Sequence, residues 1–325
     1  MNKLMKKIFI FSVIASLMIA FTACNSKPAE DNKEKVETTE VEEKKEEAKE
    51  EAKEEEKEET KDEEKAEEKK VVAGTVAIAN ILDRLEYDNV VGVPETKYSL
   101  PERYKDAGNI GTPMKPDAEI VKSLEPDLFI SSSSLEESNR PAMENLGIDS
   151  EFIDLSNYDN ILKSIEDISK QLNTEEKGQE VIAEIKKDAE EAIASTEGKT
   201  SPKVLFIFGT PKSVMVGNEN SYVGSLMKML NINNIASDAS EEYTPLSLEN
   251  IVEDNPDIVL VMNHVNPVES QKMMQAEFDR NPAWSNLNAY KNDKIIYLDN
   301  DIFSVTGNVR VGDALKDLVE MVYED

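Results

Sequence analysis

The stretch EIVKSLEPD at residues 119–127 returns as ENIVEDNPD at residues 249–257, with glutamate, proline and aspartate at the same spacing. The first copy runs into an apolar triplet beginning at Leu128, the second into the apolar run Ile258 to Val261. Each copy therefore reads as a short helix, a stop and a strand. Proline just past a helix end is ordinary stop chemistry and says little alone. A glutamate at the matching helix start in both copies says more. Outward from the repeat, further short apolar runs occur at Val71 to Ile78, Asn89 to Gly92, Leu128 to Ser131, Lys203 to Phe208, Ile258 to Met262 and Lys294 to Leu298. Several are followed by Gly, Asn, Pro or Ser turn signals. Between them lie stretches with helical spacing, such as Asp117 to Leu124, Leu226 to Leu230 and Val311 to Val322. That alternation predicts α/β layers around mainly parallel sheets.

Between the two copies runs the longest helical pattern, about Glu175 to Ala194, with Val181, Ile182, Ile185, Ala189, Ala192 and Ile193 along one side. No strand interrupts it. It reads as a rigid bridge between two lobes, an N-terminal one over 71–172 and a C-terminal one over 199–325, with the bridge at 173–198. An ordinary crossover helix within one sheet is the simpler alternative.

The N-terminus sets the compartment. Lys3, Lys6 and Lys7 precede an apolar run from Ile8 to Phe21, followed by Thr22, Ala23 and Cys24. This is the order of a secretion signal, and the run is shorter than the ~20 residues of a spanning helix. Small residues directly before a cysteine resemble the bacterial lipoprotein processing box, with Phe21 where leucine is usual. Residues 1–23 are thus expected to be removed and Cys24 lipidated, anchoring the chain outside the membrane of a bacterium, Gram-positive by the length of the tether. From Asn25 to Lys70 the chain holds 12 lysines against 21 acidic residues, no aromatic, and only Val36 and Val41 as apolar residues beyond alanine. Such a segment cannot form a core and is read, with Cys24, as a disordered acidic tether over 24–70. No apolar seam recurs that would make it a coiled coil.

The chain carries a formal charge of −30. Discounting the signal and the tether leaves the folded region at about −24, a field that repels nucleic acid and anionic lipid and favours a partner with basic docking loops.

Few enzymatic signatures are present. There is no phosphate-binding glycine loop, no Gly-x-Ser-x-Gly elbow and no His-Glu-x-x-His pair. A Ser-His-Asp triad would have to combine His264, the only histidine, with a serine from Ser131 to Ser134, and serine clusters after a strand are usually loop. Cys24 is the only cysteine, which excludes an internal disulfide and a thiol-based metal or redox centre. A zinc or manganese carrier would draw on several His or Cys ligands. His264 lies in the loop NHVNP, 263–267, directly after an apolar strand, and loops at the carboxyl ends of strands are where open α/β sheets bind ligands. A solvated surface histidine is the bland alternative. Met114 sits in IGTPMKP, 110–116, stiffened by Pro113 and Pro116 and outside any apolar periodicity. A thioether from one lobe facing an imidazole from the other would suit a haem iron, for which Met/His is an established axial pair.

At this point the sequence resembles the class III substrate-binding proteins of ABC importers, which carry haem, siderophores or cobalamin, and among them the haem-binding lipoproteins. The likeness spans 71–325 and is densest in SLPERYKD at 99–106 and IGTPMKP at 110–116. It continues in SPKVL at 201–205, NSYVG at 220–224, NPDIV at 255–259 and the segment around His264. The resemblance implies two Rossmann-like lobes joined by a single long α-helix, the class III periplasmic-binding-protein fold, with no catalysis and little closure. It implies haem b, as the transported ligand, held in the cleft by Met114 and His264. It suggests that amides near Thr75 and Val76 meet a propionate, helix starts being natural anion sites. Lys97 and Tyr98 stand where the family has a Tyr-Lys pair in the opposite order, as further propionate candidates. Asp301, or Asp299 in its place, would orient the imidazole. Glu119 and Glu249 match glutamates that dock onto arginines of the permease, although each is also a favourable charge near a helix start. The implied partners are an ABC permease with its ATPase and a cell-surface haem donor, the protein itself being a monomer. Lys97, Tyr98, Arg103 and Tyr104 would serve a ferric siderophore on the same fold. An adhesive or structural lipoprotein is the alternative from another class, and it leaves the paired glutamates unexplained.

Overall fold

The computed structural model describes residues 68–236, 241–264 and 266–324. The signal, Cys24 and nearly all of the acidic tether lie outside the described residues. Among the described residues no helix is long and apolar enough to cross a membrane.

The N-terminal lobe runs β1 (Val71–Ala73), α1 (Val76–Arg84), β2 (Val90–Val93), β3 (Gly108–Asn109), a hairpin of β4 (Gly111–Thr112) and β5 (Lys115–Pro116), α2 (Ala118–Ser123), β6 (Leu128–Ser132), α3 (Glu136–Leu146), β7 (Ser150–Ile153) and α4 (Tyr158–Gln171). Then comes α5 (Glu175–Thr196), 22 residues or about 33 Å long. The C-terminal lobe continues with β8 (Lys203–Gly209), β9 (Val214–Gly217), α6 (Tyr222–Met229), β10 (Asn233–Asn234), β11 (Tyr243–Pro245), α7 (Leu248–Asp254), β12 (Ile258–Asn263), α8 (Pro267–Arg280), α9 (Asn288–Lys291), β13 (Ile295–Tyr297) and α10 (Val311–Tyr323).

The first sheet has the order β3-β2-β1-β6-β7, with every pair parallel. The second has the order β11-β9-β8-β12-β13, with β10 also on β8. Here β8, β10, β12 and β13 are parallel, while β9 and β11 pair antiparallel. The second sheet is thus mainly parallel, as expected, with an antiparallel pair added at one side. The run Val71 to Ile78 also divides. Its strand ends at Ala73, and Thr75, in extended conformation, turns the chain into α1 by accepting the Ile78 N–H on Oγ1 at 3.3 Å. Eight apolar or small residues in a row carry no period that separates a strand from a helix. The capping threonine decides it.

Strand alternation sorts side chains into layers. Val71, Ala73, Leu128 and Ile130 from the first sheet, and Val204, Phe206, Phe208, Leu260 and Met262 from the second, enter one continuous core that also takes in α1, α4, α5, α6 and α10. The intervening residues face outward. Val72 and Phe129 pack with Val121 and Met143, and Leu205, Ile207, Val259 and Val261 pack with Phe278 and Trp284. Both sheets are thus covered on both faces, as their unbroken apolar strands require. Val181, Ile185, Ala189 and Ala192 are the buried stripe of α5, and this helix joins the lobes.

The repeat has a matched physical role in each lobe. The Lys70 N–H donates to the Asp127 carboxylate at 2.8 Å, and the Lys203 N–H donates to that of Asp257 at 3.1 Å, so each aspartate ties down the chain entering the central strand beside it. The residue before each proline is left-handed, Glu125 at φ 49° and Asn255 at φ 48°.

Candidate functional site

In each sheet two central strands send their connections to opposite sides, and ligands of open α/β folds bind where that happens. In the first sheet this point lies beyond β1 and β6. Gly74 follows β1 directly, where a Cβ would stand 2.7 Å from the Phe129 ring and 2.8 Å from Ser131, so only glycine lets the chain pass and start α1 at the sheet edge. In the second sheet the same point lies beyond β8 and β12, and His264 is the first residue after β12.

A cavity of about 780 Å³ opens between these two points. Thr75, Val76, Lys97 and Tyr98 line it from the N-terminal lobe, and His264 and Asp301 from the other. Six of the residues singled out in the sequence are thereby brought to one wall or the other. The volume falls within the roughly 300–1,000 Å³ usual for small-molecule sites.

The backbone of His264 is fixed by three bonds. Its N–H donates to Gly209 O at 2.8 Å, and its carbonyl accepts from the Asn266 N–H at 2.9 Å and from Ser270 Oγ at 2.8 Å. The ring lies 5.7 Å from that of Phe208, which in turn packs 4.6 Å from Tyr243. Among the described residues neither ring nitrogen has a hydrogen-bond partner. Burial pushes the imidazole pKa below its ordinary 6.5, which keeps it neutral and its lone pair available.

The carboxylate expected to orient that ring does not do so here. The Asp301 N–H donates to Asp299 Oδ1 at 2.9 Å, and the Asp301 charge acts on Tyr98, whose hydroxyl pKa is raised by burial first and by Asp301 second. The 299–303 loop turns on Asp299, whose carbonyl accepts the N–H groups of Ile302 and Phe303.

Met114 stands apart from the wall. It forms the tip of the β4–β5 hairpin, 73 % exposed, while its neighbours Thr112 and Pro113 line the cavity. The hairpin is held from behind by Asn139 Nδ2, which donates to Pro113 O at 3.0 Å. The siderophore set is also divided. Arg103 is engaged by Asp83 and Asp88, and Tyr104 is buried with its hydroxyl on Tyr87 O at 2.8 Å. Only Lys97 and Tyr98 of those four reach the cavity.

Beyond Asp301, the sequence gives no clear sign of the stretch 304–310, which supplies Ser304, Thr306, Asn308 and Arg310 to the wall. No period marks it, since it holds no regular element. Its one signal is compositional, Arg310 and Lys316 being the only cations in the last 31 residues. Glu119 and Glu249 are each the second residue of their helix, α2 and α7, and both are exposed. Among the described residues no three His, Cys, Asp or Glu side chains are grouped to hold a bare metal ion.

Residues 71–302 match the periplasmic binding protein family. The chain is 33 % identical over 259 residues to the high-affinity heme uptake system protein IsdE of Staphylococcus aureus, covering 79 % of this chain and 88 % of the relative. The crystal structure of S. aureus IsdE complexed with heme superposes with a TM-score of 0.73 at 32 % identity, over 79 % of this chain and 99 % of that one. An ABC transporter substrate-binding protein from Listeria monocytogenes EGD-e matches with the same TM-score, 0.73, and 32 % identity, over 79 % of this chain and all of the other.

Proposed function

The chain belongs to the periplasmic binding protein family, as a class III substrate-binding protein and not an enzyme, and on that premise we propose that its cleft carries haem to an ABC permease. The observation that carries this reading is His264, a neutral, partly buried imidazole with no hydrogen-bond partner on either nitrogen among the described residues, facing a cavity between two lobes. A partly buried, neutral ring that leaves its nitrogens to the cleft is a ligand in waiting: iron(III) or iron(II) accepts its lone pair with no proton to displace. A bare cation would need more donors than this wall assembles, whereas haem brings four nitrogens of its own.

In this reading Met114 supplies the second axial ligand by turning its thioether inward over Thr112 and Pro113, a change confined to a hairpin tip. Haem propionates meet the amides of Thr75 and Val76 at the start of α1, with Lys97 and Tyr98 beside them. Glu119 and Glu249 present one carboxylate from each lobe to basic residues of the permease, whose ATPase drives release. Cys24 would hold the assembly to the membrane through its lipid, with a surface protein as donor and a monomer as the working form. Of the four residues set out for a ferric siderophore, Lys97 and Tyr98 reach the wall, where Arg84 and Arg310 add to the basic lining.

Titration of the purified protein with haemin, followed at the Soret band, tests the reading. The wild type should saturate at one equivalent. His264→Ala should shift the band and weaken binding by at least about tenfold, and Met114→Ala should shift it with a smaller loss, the thioether being the weaker and more exposed donor. Absence of a saturable shift in the wild type rejects haem, and two variants with the wild-type spectrum reject the ligand pair.

A further inference from the structure

Three cationic side chains line the cavity, Arg84, Lys97 and Arg310. They share it with the carboxylates of Asp83, Glu95, Asp301 and Asp313, so a ligand that carries carboxylates of its own enters a wall with no net positive charge to receive it. Where its acid groups can sit then depends on which cation has donors to spare. Arg84 gives one arm of its outer fork, Nη2, to Glu184 of α5 at 2.5 Å, so its end-on pair of donors is broken. Lys97 is exposed and presents a hydrated point charge.

Arg310 keeps its outer fork whole. It stands at the entry to α10, its own N–H donating to Asn308 Oδ1 at 2.7 Å. Its Nε donates to Asp313 Oδ2 at 2.9 Å, which orients the guanidinium plane while using one of its five N–H groups. The two terminal nitrogens make no hydrogen bond among the described residues. A guanidinium held at Nε with its outer fork free is the geometry that takes a carboxylate through paired N–H donors. Arg310 lies on the C-terminal lobe, and the amides of Thr75 and Val76 line the same cavity from the N-terminal one.

We infer that Arg310 is the C-terminal lobe's anchor for a ligand carboxylate and sets a preference for porphyrins with free propionates. The inference deepens the haem reading and rests on it. Asp313 acts as a positioning residue, holding the guanidinium ready and screening its charge until the ligand's acid group arrives. His264 and Met114 fix the iron, and Arg310 fixes the in-plane rotation of the macrocycle about it.

The test compares haemin with haemin dimethyl ester, in which both acid groups are capped, against the full-length wild type, Arg310→Gln and Arg310→Lys. The wild type should bind the diacid at least about tenfold more tightly than the diester, as expected for losing a charge-assisted bond. Arg310→Gln should close most of that gap by weakening haemin alone, with the Soret position unchanged because the axial ligands are untouched. Arg310→Lys should retain an intermediate preference, keeping the charge without the fork. Equal affinities of Arg310→Gln and wild type for haemin overturn the inference and leave the haem reading standing. So does an equal loss for both ligands, which would mark a structural role. A wild type that fails to bind haemin removes both.

Discussion

At His264 the ligand role and the fold pull the same proton. Burial lowers the imidazole pKa in the folded chain below the ordinary 6.5. The unfolded chain then binds more protons than the folded one once the pH drops below about 6.5, and stability falls with pH through the folded pKa. Above that window both states hold a neutral ring and the contribution is fully present. The wild type should therefore lose stability relative to His264→Gln as pH is lowered from 7 to 5, with the difference between them constant above 7, in parallel urea unfolding series. Haem affinity should fall over the same interval, because iron and proton compete for one lone pair. A difference between the two proteins that does not change with pH would mean the ring is solvated. How far this residue was legible follows from the same physics. A lone histidine behind an apolar strand at a sheet's carboxyl edge can be singled out from sequence. That its neutrality comes from burial, with its ring beside Phe208 and the Asp301 charge acting on Tyr98 instead, cannot be, because it depends on which side chains the folded cleft brings together. Arg310 shows in the sequence only through composition, because it stands in a stretch where no element imposes a period.

At the scale of elements, the repeat that decides the fold divides its labour between stability and surface. Asp127 and Asp257 each tie down the entry to a central strand, and Asp117 caps α2 by accepting the N–H groups of Glu119 and Ile120 at 3.0 and 3.2 Å. Changing any of the three aspartates to alanine should cost about 1 kcal/mol in chemical denaturation, the usual size of a lost cap or single hydrogen bond. Glu119 and Glu249 sit two helix positions into the same units, and their side chains make no hydrogen bond or ion pair among the described residues. Their replacement by alanine should change stability by no more than a few tenths of a kcal/mol, the value of a charge at a helix start. If they meet the permease, the double variant should still bind haemin with wild-type affinity while failing to support uptake in a reconstituted transporter. Loss of haemin binding would place them in the cleft's support instead. The helix, stop, strand order of this unit could be read directly, because Pro and Asp punctuate it. The antiparallel β9 and β11 could not, being only four and three residues long, and it is the four-residue connection 210–213 that makes β9 run back along β8.

For the whole molecule, the packing behind the cleft governs how it can move. The lobes share one continuous core rather than two separated by water, with Ile161 of α4, Tyr222 of α6 and Val309 in the same cluster. A backbone bond crosses from lobe to lobe, the Gly307 N–H donating to Leu155 O at 2.7 Å, and a Cβ at Gly307 would stand 2.3 Å from Ile161 and 2.7 Å from Tyr222. The bridging helix is tied to both sides one turn apart, Glu184 to Arg84 of α1 at 2.5 Å and Asp188 to Lys316 of α10 at 2.6 Å. Opening the cleft by a wide hinge would expose that apolar seam to water at about 25 cal/mol per Å². Loading should therefore alter the shape little, with backbone shifts of no more than about 1 Å outside the Met114 hairpin, in the manner of pre-organised partners. Small-angle scattering of the ligand-free and haem-loaded protein measures this, and superimposable curves are expected, whereas a contraction of several ångströms in radius of gyration would reject a rigid seam. Gly307→Ala supplies the converse. Forcing a methyl into the seam should destabilise the fold by about 1–3 kcal/mol, the cost of overpacking a close contact, and should loosen haem at the same time, because the strain falls between the two lobes that must hold the ligand from opposite sides.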